Sequence, residues 1–364
     1  MRLLITTDTV GGVWRFSQEL VKGLLEAGDS VALVSFGRPM SSSQRAECVW
    51  IAARWGERFA YHITKVPLEW MQENESCLHD GEVILEKVAR EFRAELLHSN
   101  QFCYGAAQLG IPIAVTAHSD VLSWARSCNG GLLQESSWLK QYHSLVQNGL
   151  NCASIVTAPT EWMLRALQQS FSVPAERYAI ANGRTIPAAR VNHRKLQAVT
   201  AGRLWDEAKD VALLGNVSSP FALVVAGETH ESGANFAAIR NLEFVGSLRE
   251  DEMLRLFAES AVYICTSRYE PFGLAPLEAA LAGCAILARD IDSLREVWSD
   301  SAVYFRDADQ LSALLSELAE DPALLHEAQE QACRRAQLYS RDRMTTAYRS
   351  LYAHVLAKEH ACVA

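Results

Sequence analysis

Short runs of β-branched and aliphatic residues alternate along the chain with longer stretches in which apolar residues recur every three or four positions. The short runs predict strands and the longer stretches predict amphipathic helices. The predicted strands are 3–6, 31–35, 95–98, 112–116, 154–157, 178–181, 197–201, 222–226, 242–245, 262–266, 285–288 and 302–305. Because strands and helices alternate, the pattern predicts parallel sheets with βαβ connections.

The alternation is interrupted once, near the middle of the chain. Asn182-Gly183 is a turn signal, and residues 184–196 look like a linker. We therefore predict an α/β protein with two Rossmann-like domains, 1–190 and 191–341. Ligands of such folds bind beyond the carboxyl ends of the strands, so a cleft between the two domains is the expected ligand site.

Composition narrows the class of protein. The chain has 364 residues, of which 49% are hydrophobic and 21% are charged, which is typical of a soluble globular protein with well-formed cores. The formal net charge of -9 gives no basic excess, so we expect no nucleic-acid binding. The apolar run at the N-terminus is too short for a signal peptide, and no run approaches the length of a membrane span. We predict a cytoplasmic protein without a transmembrane segment.

Cysteine usage and metal-ligand spacing argue against a disulfide-rich protein and against a metalloprotein. The nine cysteines are odd in number and widely spaced, without a C-x-x-C motif, which indicates a reducing compartment rather than a disulfide framework. Cys265 and Cys284 lie in apolar runs and are predicted to be core residues. Asp290-Ile-Asp292 is formally a D-x-D motif, but it precedes a helical pattern, so Asp292 or Ser293 is predicted to be an N-cap. We expect neither a metal nor a cofactor.

The segment from Arg268 to Gly283 carries the strongest chemical signal. It follows a predicted strand and opens a helix, with Pro276 suited to the first turn and Gly283 to the C-terminal cap. The N–H groups at a helix N-terminus can bind an anion. The backbone donors predicted for this role belong to Phe272, Gly273 and Leu274.

Two carboxylates flank this predicted anion site. Glu270 lies just before the helix and Glu278 lies eight residues later, within it. Phosphate next to carboxylates suggests a ligand that carries both phosphate and hydroxyls, such as a nucleotide sugar. The alternative is a surface helix with ordinary solvated glutamates.

The segment resembles the E-x7-E signature of retaining glycosyltransferases of family 4, which have the GT-B fold. The resemblance implies that Glu270 contacts hydroxyls of the donor sugar and that Glu278 holds the ribose of the nucleotide. It also implies that the last helix, about 342–364, crosses back onto the first domain. Tyr348, Leu351, Tyr352 and Val355 have the helical spacing of such a docking face.

A second motif supplies cations. Arg203 and Lys209 follow the first predicted strand of the second half, in a loop that starts at Gly202. Arg can bind a diphosphate through paired hydrogen bonds, and Lys can bind it as a point charge. The family has a G-R-L…K pattern here and uses both cations on the donor diphosphate. The alternative is a pair of solvated surface charges.

Two weaker motifs lie in the first half. Gly11-Gly12 follows the first strand, where the family has a glycine-rich loop that faces the donor phosphate, although an ordinary βα turn would use the same residues. His118 follows the strand 112–116, and family members have a His here near the hydroxymethyl group of the donor sugar. Ser119 separates it from Asp120, whereas the family often has Asp directly after the His, so a role for Asp120 is in doubt.

The turn after strand 242–245 is a candidate for recognition of the base. By resemblance, Val245 to Leu248 border the nucleotide base. The alternative for Ser247 is a capping box, with Ser247 as the N-cap and Glu250 at the third helical position.

Together these motifs imply a retaining, metal-independent glycosyltransferase of the hexosyltransferase type. It would move a sugar from a UDP- or GDP-linked donor to a hydroxyl acceptor, which is a glycan, a lipid-linked molecule or a small molecule. The alternatives are a GT-B nucleotide-sugar epimerase, a phosphorylase, for which the chain is short, and a non-catalytic nucleotide-sugar-binding subunit. Residues 38–80 and 119–140 match the family least, and most of their tryptophans are predicted to be core: Trp50, Trp55, Trp70, Trp124 and Trp138.

Overall fold

The computed structural model describes residues 1–72, 74, 76–131, 133–187, 194–228 and 241–363. The chain divides into two compact units. The first contains the described residues of Met1–Arg126, Gly131–Gly183 and Arg341–Ala364, and the second those of Ser127–Gly130 and Arg184–Ser340. Each unit is an α/β structure built on one parallel sheet.

The sheet of the first unit has seven strands in the order β3-β2-β1-β4-β5-β6-β7, and all neighbours are parallel. The strands are β1 Arg2–Asp8, β2 Ser30–Phe36, β3 Phe59–Ile63, β4 Leu96–Ser99, β5 Ile113–Thr116, β6 Ile155–Ala158 and β7 Arg177–Ala179. The helices that belong mainly to this unit are α1 Gly12–Glu26, α2 Ser42–Trp55, α3 Cys77–Phe92, α4 Val121–Asn129, α5 Ser137–Cys152, α6 Glu161–Gln168 and α12 Arg341–Val363.

The sheet of the second unit has six parallel strands in the order β10-β9-β8-β11-β12-β13. The strands are β8 Lys195–Ala201, β9 Ala222–Ala226, β10 Leu242–Gly246, β11 Ser260–Cys265, β12 Ala285–Arg289 and β13 Val303–Phe305. The helices are α7 Glu250–Glu259, α8 Leu274–Leu281, α9 Asp292–Trp298, α10 Ala308–Glu320 and α11 Pro322–Ala336.

The strand pattern of the sequence is confirmed, with one omission. Each predicted strand is present, with its ends within two residues of the prediction. The sequence analysis missed β3, a five-residue edge strand. Only Phe59 of this strand is buried, so its sequence lacks the continuous apolar character of the inner strands.

The last helix packs on the core of the first unit. Tyr348 and Tyr352 are 0% exposed, and Leu351 and Val355 are 7% and 4% exposed. The approach of α12 to α1 is close, because a Cβ added at Gly23 would lie 2.0 Å from Thr345 Oγ1. The aromatic face of α12 therefore completes the core on that side of the sheet.

The burial of cysteines and tryptophans tests two further predictions. Cys265 and Cys284 are buried, as predicted. The prediction of core tryptophans is wrong: Trp50 and Trp70 are 53% and 38% exposed. The other three, Trp55, Trp124 and Trp138, are only half-buried. An indole can lie along a surface with its ring partly covered, so its size alone does not place it in the core.

Within the described part of the chain, no helix combines the length and the apolar character that a bilayer span requires.

Candidate active site

The loop after β8 brings a lysine to the first glutamate of the E-x7-E segment. Asp206 accepts a hydrogen bond from the backbone of Ala208 (3.0 Å) and so caps a single helical turn that ends at Lys209. The Lys209 ammonium donates to Glu270 Oε2, and Thr266 Oγ1 donates to the Lys209 carbonyl. The neighbouring strands β8 and β11 therefore place Lys209 and Glu270 in contact at their carboxyl ends.

This ion pair is largely shielded from water, since the Lys209 and Glu270 side chains are 21% and 15% exposed. Burial works to lower the pKa of Lys209, but the charge and hydrogen bond of Glu270 outweigh it, so the pKa lies above its ordinary value. Lys209 is therefore a cation at neutral pH.

Arg203 lies near the same pair. Its guanidinium donates to Asp206 Oδ2 (2.6 Å), stands 5.3 Å from the centre of the Trp205 ring, and is 39% exposed. Its positive charge works to lower the pKa of Lys209, against the larger effect of Glu270. Each of the two cations is thus paired with a carboxylate, Lys209 with Glu270 and Arg203 with Asp206, and both keep enough exposure for an anionic ligand to reach them.

The N-terminus of α8 adjoins this pair. Gly273 precedes the helix with φ 90°, and a Cβ there would lie 2.7 Å from Pro276 Cγ, so the position requires glycine. The backbones of Phe272, Gly273 and Leu274 lie at this helix start. The Phe272 ring is buried against Tyr339, with ring centroids 5.4 Å apart, which anchors the turn.

Glu278 has an unexpected cationic partner. Arg184 Nε donates to Glu278 Oε1 (2.7 Å), and the same guanidinium donates to Glu250. Sequence reasoning missed Arg184 because it assigned the residue to a linker. The only signal was a cation directly after the turn Asn182-Gly183, and a sequence does not show which surface cations become buried.

The candidate base-binding turn lies between β10 and α7. Val245 is in β10, Gly246 has φ 72°, and Leu248 precedes the helix. The capping alternative for Ser247 is wrong, because α7 begins at Glu250 and the backbone N–H of Arg249 donates to the Glu252 carboxylate (3.0 Å).

The predicted N-cap of α9 is also wrong. The helix begins at Asp292, so Ile291 occupies the N-cap position. Asp290 forms ion pairs with Arg295 and Arg306 instead. A single residue of offset is within the usual variation of helix ends. Among the residues that the structure describes, no three His, Cys, Asp or Glu side chains converge as metal ligands.

In the first unit, Gly11 and Gly12 lie at the start of α1. Gly11 has φ 75° and ψ −147° and precedes the helix, which begins at Gly12. Both glycines are exposed. Val10 donates its backbone N–H to Asp8 Oδ1 (2.9 Å), which fixes the turn between β1 and the helix.

His118 follows β5 and is held by an asparagine. Its Nε2 lies 2.7 Å from Asn100 Oδ1, and its ring packs edge-on against Phe16 at 4.5 Å. The Asn100 amide is itself oriented, because Nδ2 donates to the Thr6 carbonyl (2.6 Å). Nε2 of His118 is therefore the protonated nitrogen, which leaves Nδ1 as an acceptor.

A second imidazole lies behind the first. His98 is 0% exposed, and its Nδ1 lies 2.5 Å from the Tyr352 hydroxyl on α12. Its Nε2 lies 3.2 Å from Asn100 Oδ1 and 3.1 Å from Thr116 Oγ1. We refer to His98, Asn100, Thr116, His118 and Tyr352 as the histidine network.

Both imidazoles are kept neutral. Burial lowers the pKa of His98 to about 4, against a smaller opposing effect of the Asn100 hydrogen bond. Burial also lowers the pKa of His118 to about 3, and the neighbouring His98 lowers it further. Near neutral pH the histidine network therefore carries no charge.

The structure thus forms three groups from the candidate residues. Lys209 contacts Glu270, with Arg203 and the α8 N-terminus nearby, and Glu278 contacts Arg184. His118 belongs to the histidine network of the first unit.

Comparison with known proteins identifies the class of protein. The sucrose-phosphate synthase of Thermosynechococcus elongatus superposes with a TM-score of 0.75 at 16% identity, over 98% of this chain and 100% of that one. HepE of Anabaena, solved in complex with UDP-glucose, superposes with a TM-score of 0.73 at 14% identity, over 97% of this chain and 100% of that one. The fold is that of the GT-B glycosyltransferases.

Sequence matches narrow the class to a family. A glycosyltransferase family 4 model matches residues 10–183, and a glycosyl transferases group 1 model matches residues 208–335. The chain belongs to the glycosyltransferases that these two models describe, which together match residues of both units.

A curated relative is the alpha-maltose-1-phosphate synthase of Mycobacterium tuberculosis, which is 27% identical over 249 residues. The match covers 58% of this chain and 62% of that relative's length.

Proposed function

We propose that this protein is a metal-independent, retaining glycosyltransferase that moves a sugar from a UDP- or GDP-linked donor to a hydroxyl acceptor. The observation that carries the proposal is the shielded contact between Lys209 and Glu270 beside the N-terminus of α8. It puts a permanent cation, helix N–H groups and a hydroxyl-binding carboxylate at one place. A sugar diphosphate has the complementary groups.

In the proposed reaction, the bond between the anomeric carbon and the β-phosphate oxygen breaks, and a bond from that carbon to the acceptor oxygen forms. The acceptor proton passes to the departing phosphate oxygen. Negative charge grows on the diphosphate as it leaves, and Lys209, Arg203 and the backbone N–H groups near Gly273 stabilise it. Once the donor is bound these groups are held in place, so they stabilise the leaving group without reorganising during the chemical step.

The carboxylates and His118 orient the donor in this proposal. Glu270 accepts hydrogen bonds from hydroxyls of the sugar, and Glu278 accepts from hydroxyls of the ribose. His118 offers Nδ1 as an acceptor to the hydroxymethyl group, since Nε2 is engaged by Asn100. Gly11 and Gly12 let the backbone approach the donor phosphate, and the turn from Val245 to Leu248 borders the base.

The relatives support a nucleotide-sugar donor. HepE was solved with UDP-glucose, and the names of the sucrose-phosphate and maltose-1-phosphate synthases describe the synthesis of glycosides. The acceptor is a hydroxyl compound of unassigned class. A nucleotide-sugar epimerase or a non-catalytic binding subunit would share the donor site, so turnover rather than binding separates the proposals.

The test is transfer from a panel of UDP- and GDP-sugars, followed by mass spectrometry of the products and NMR of the anomeric configuration. We expect release of a nucleoside diphosphate together with a product of retained configuration. Lys209→Ala should lower turnover by about 10²–10³-fold, as loss of one preorganised charge-stabilising group does.

The matched control is Lys195→Ala. Lys195 also pairs with a glutamate, Glu259 (2.7 Å), but it is 63% exposed and lies at the amino end of β8. Its loss should leave turnover unchanged. Equal turnover in the Lys209→Ala variant and the wild type would refute the proposed mechanism. A product of inverted configuration would refute retention, and an epimerised nucleotide sugar would replace the proposal with the epimerase alternative.

A further inference from the structure

Arg184 is a buried cation held between two helices of the second unit. It is 3% exposed, and its backbone N–H donates to the Tyr339 carbonyl (2.9 Å). Its guanidinium donates from Nε to Glu278 on α8 and from Nη2 to Glu250 on α7. A buried guanidinium is costly unless carboxylates compensate it, and here one comes from each helix.

The two carboxylates differ in their surroundings. Glu278 is 14% exposed and lies within α8, whereas Glu250 is 41% exposed and is the first residue of α7. A carboxylate near a helix N-terminus is stabilised by the helix dipole, so Glu250 suits its position without the arginine. Arg184 therefore matters most for the orientation of Glu278.

The bond from Arg184 selects one oxygen of Glu278. A carboxylate accepts at both oxygens, and Arg184 Nε occupies Oε1 at 2.7 Å. The Glu278 side chain is then fixed in one orientation, in which Oε2 can accept from a ligand hydroxyl. A long flexible glutamate otherwise loses side-chain entropy when it binds a hydroxyl, and prior fixation removes part of that cost.

We infer that Arg184 is a positioning residue for the nucleoside part of the donor. It fixes Glu278 for the ribose hydroxyls. Because Arg184 also bonds Glu250, it links Glu278 to the start of α7, which follows the Val245–Leu248 turn. This inference rests on the proposed function, because the ribose role of Glu278 belongs to that proposal. It adds a residue whose effect is selectivity for ribose rather than chemistry at the sugar.

The test is calorimetric binding of UDP and GDP and of their 2′-deoxy and 3′-deoxy forms. Wild type should bind a ribonucleoside diphosphate at least 10-fold more tightly than one of its deoxy forms. In Arg184→Met the ribo form should weaken by about 10–100-fold, the range for a charged hydrogen bond, and the deoxy form much less. Selectivity for ribose should therefore collapse, which a merely structural role would not cause.

Two more variants keep the test decisive if Arg184→Met fails to fold. Arg184→Lys keeps the charge but cannot donate from two fixed nitrogens to Glu278 and Glu250. It should therefore lose ribose selectivity while it retains diphosphate binding. Glu250→Gln changes a half-exposed partner and leaves the bond to Glu278, so selectivity should persist with weaker binding of all forms.

The outcomes separate the two proposals. Equal weakening of ribo and deoxy forms in Arg184→Met or Arg184→Lys would overturn the positioning role alone. Loss of selectivity in Glu250→Gln would also overturn it, because the bond to Glu278 remains there. A wild-type protein that binds no nucleoside diphosphate would overturn the proposed function and this inference with it.

Discussion

Both units hold polar side chains in fixed positions near the carboxyl ends of parallel strands. The second unit does so with charged groups and the first with neutral ones. In the second unit charges are paired: Lys209 with Glu270, and Arg184 with Glu250 and Glu278. In the first unit the histidine network uses imidazoles, an amide and hydroxyls, and burial keeps its imidazoles neutral.

The difference indicates which part of a ligand each site suits. Ion pairs that keep some exposure can exchange a protein partner for a ligand charge, as a diphosphate requires. A neutral network gains little from a charge but fixes the direction of each donor and acceptor, as recognition of a sugar hydroxyl requires. The comparison leads to three expected results, given from the largest effect to the smallest.

The largest effect should come from breaking the Lys209–Glu270 pair. Each single variant, Lys209→Met and Glu270→Gln, should lower the free energy of unfolding by roughly 3 kcal/mol, at the low end for a buried pair because both side chains keep some exposure. The double variant should recover most of that loss, because no unpaired charge remains. Transfer activity should be lowered by about 10²–10³-fold or more in all three.

Urea unfolding and activity assays measure the two quantities. If the double variant were as unstable as the sum of the singles, the two side chains would act independently and the ionic description of this site would be wrong.

A smaller effect should appear when the first unit is acidified. His98 has a folded-state pKa of about 4 against an ordinary value of 6.5, so the unfolded chain binds more protons between these values. Stability from neutral His98 is complete above pH 6.5 and declines as pH falls towards 4. By pH 5 the loss is about 2 kcal/mol, at roughly 1.4 kcal/mol for each pH unit below the ordinary value.

Denaturant unfolding between pH 7 and pH 5 checks the sign, and hydrogen exchange assigns it to the first unit. The His98→Gln variant should be less stable at neutral pH and should show a flatter pH dependence. An unchanged slope in that variant would show that other groups cause the acid sensitivity.

The smallest effect should follow Asn100→Asp, because this change is confined to the histidine network. The new carboxylate would lie near Nε2 of both His98 and His118, which are 3.2 Å and 2.7 Å from Asn100 Oδ1 in the present protein. A nearby negative charge raises the pKa of a histidine by about 1–3 units. Transfer should then decline at acidic pH, where the wild type should not respond.

NMR titration of the imidazoles and pH profiles of kcat/KM are the measurements. Asn100→Ser removes the amide without adding a charge, so it should weaken activity without a new pH dependence. If both variants gave the same profile, the neutrality of the network would have no role in catalysis.

The sequence by itself determined the strands, since buried parallel strands are nearly continuous apolar runs. It also determined the order of the motifs and the position of Glu270, Lys209 and His118 after strands, where Rossmann-like folds collect ligands. The half-buried strand β3 and the exposed Trp50 escaped it, because edge strands and surface indoles have no distinct pattern.

Only the tertiary structure decided the partners. The sequence does not show that Arg184 is buried between Glu250 and Glu278. Nor does it show that the Tyr352 hydroxyl contacts His98, since these two residues are 254 positions apart in the chain. Periodicity reports which face of an element is apolar, whereas pairing of polar groups depends on which elements become neighbours. Burial then fixes the protonation state, because the cost of a charge depends on its surroundings in space and not on its neighbours in the chain.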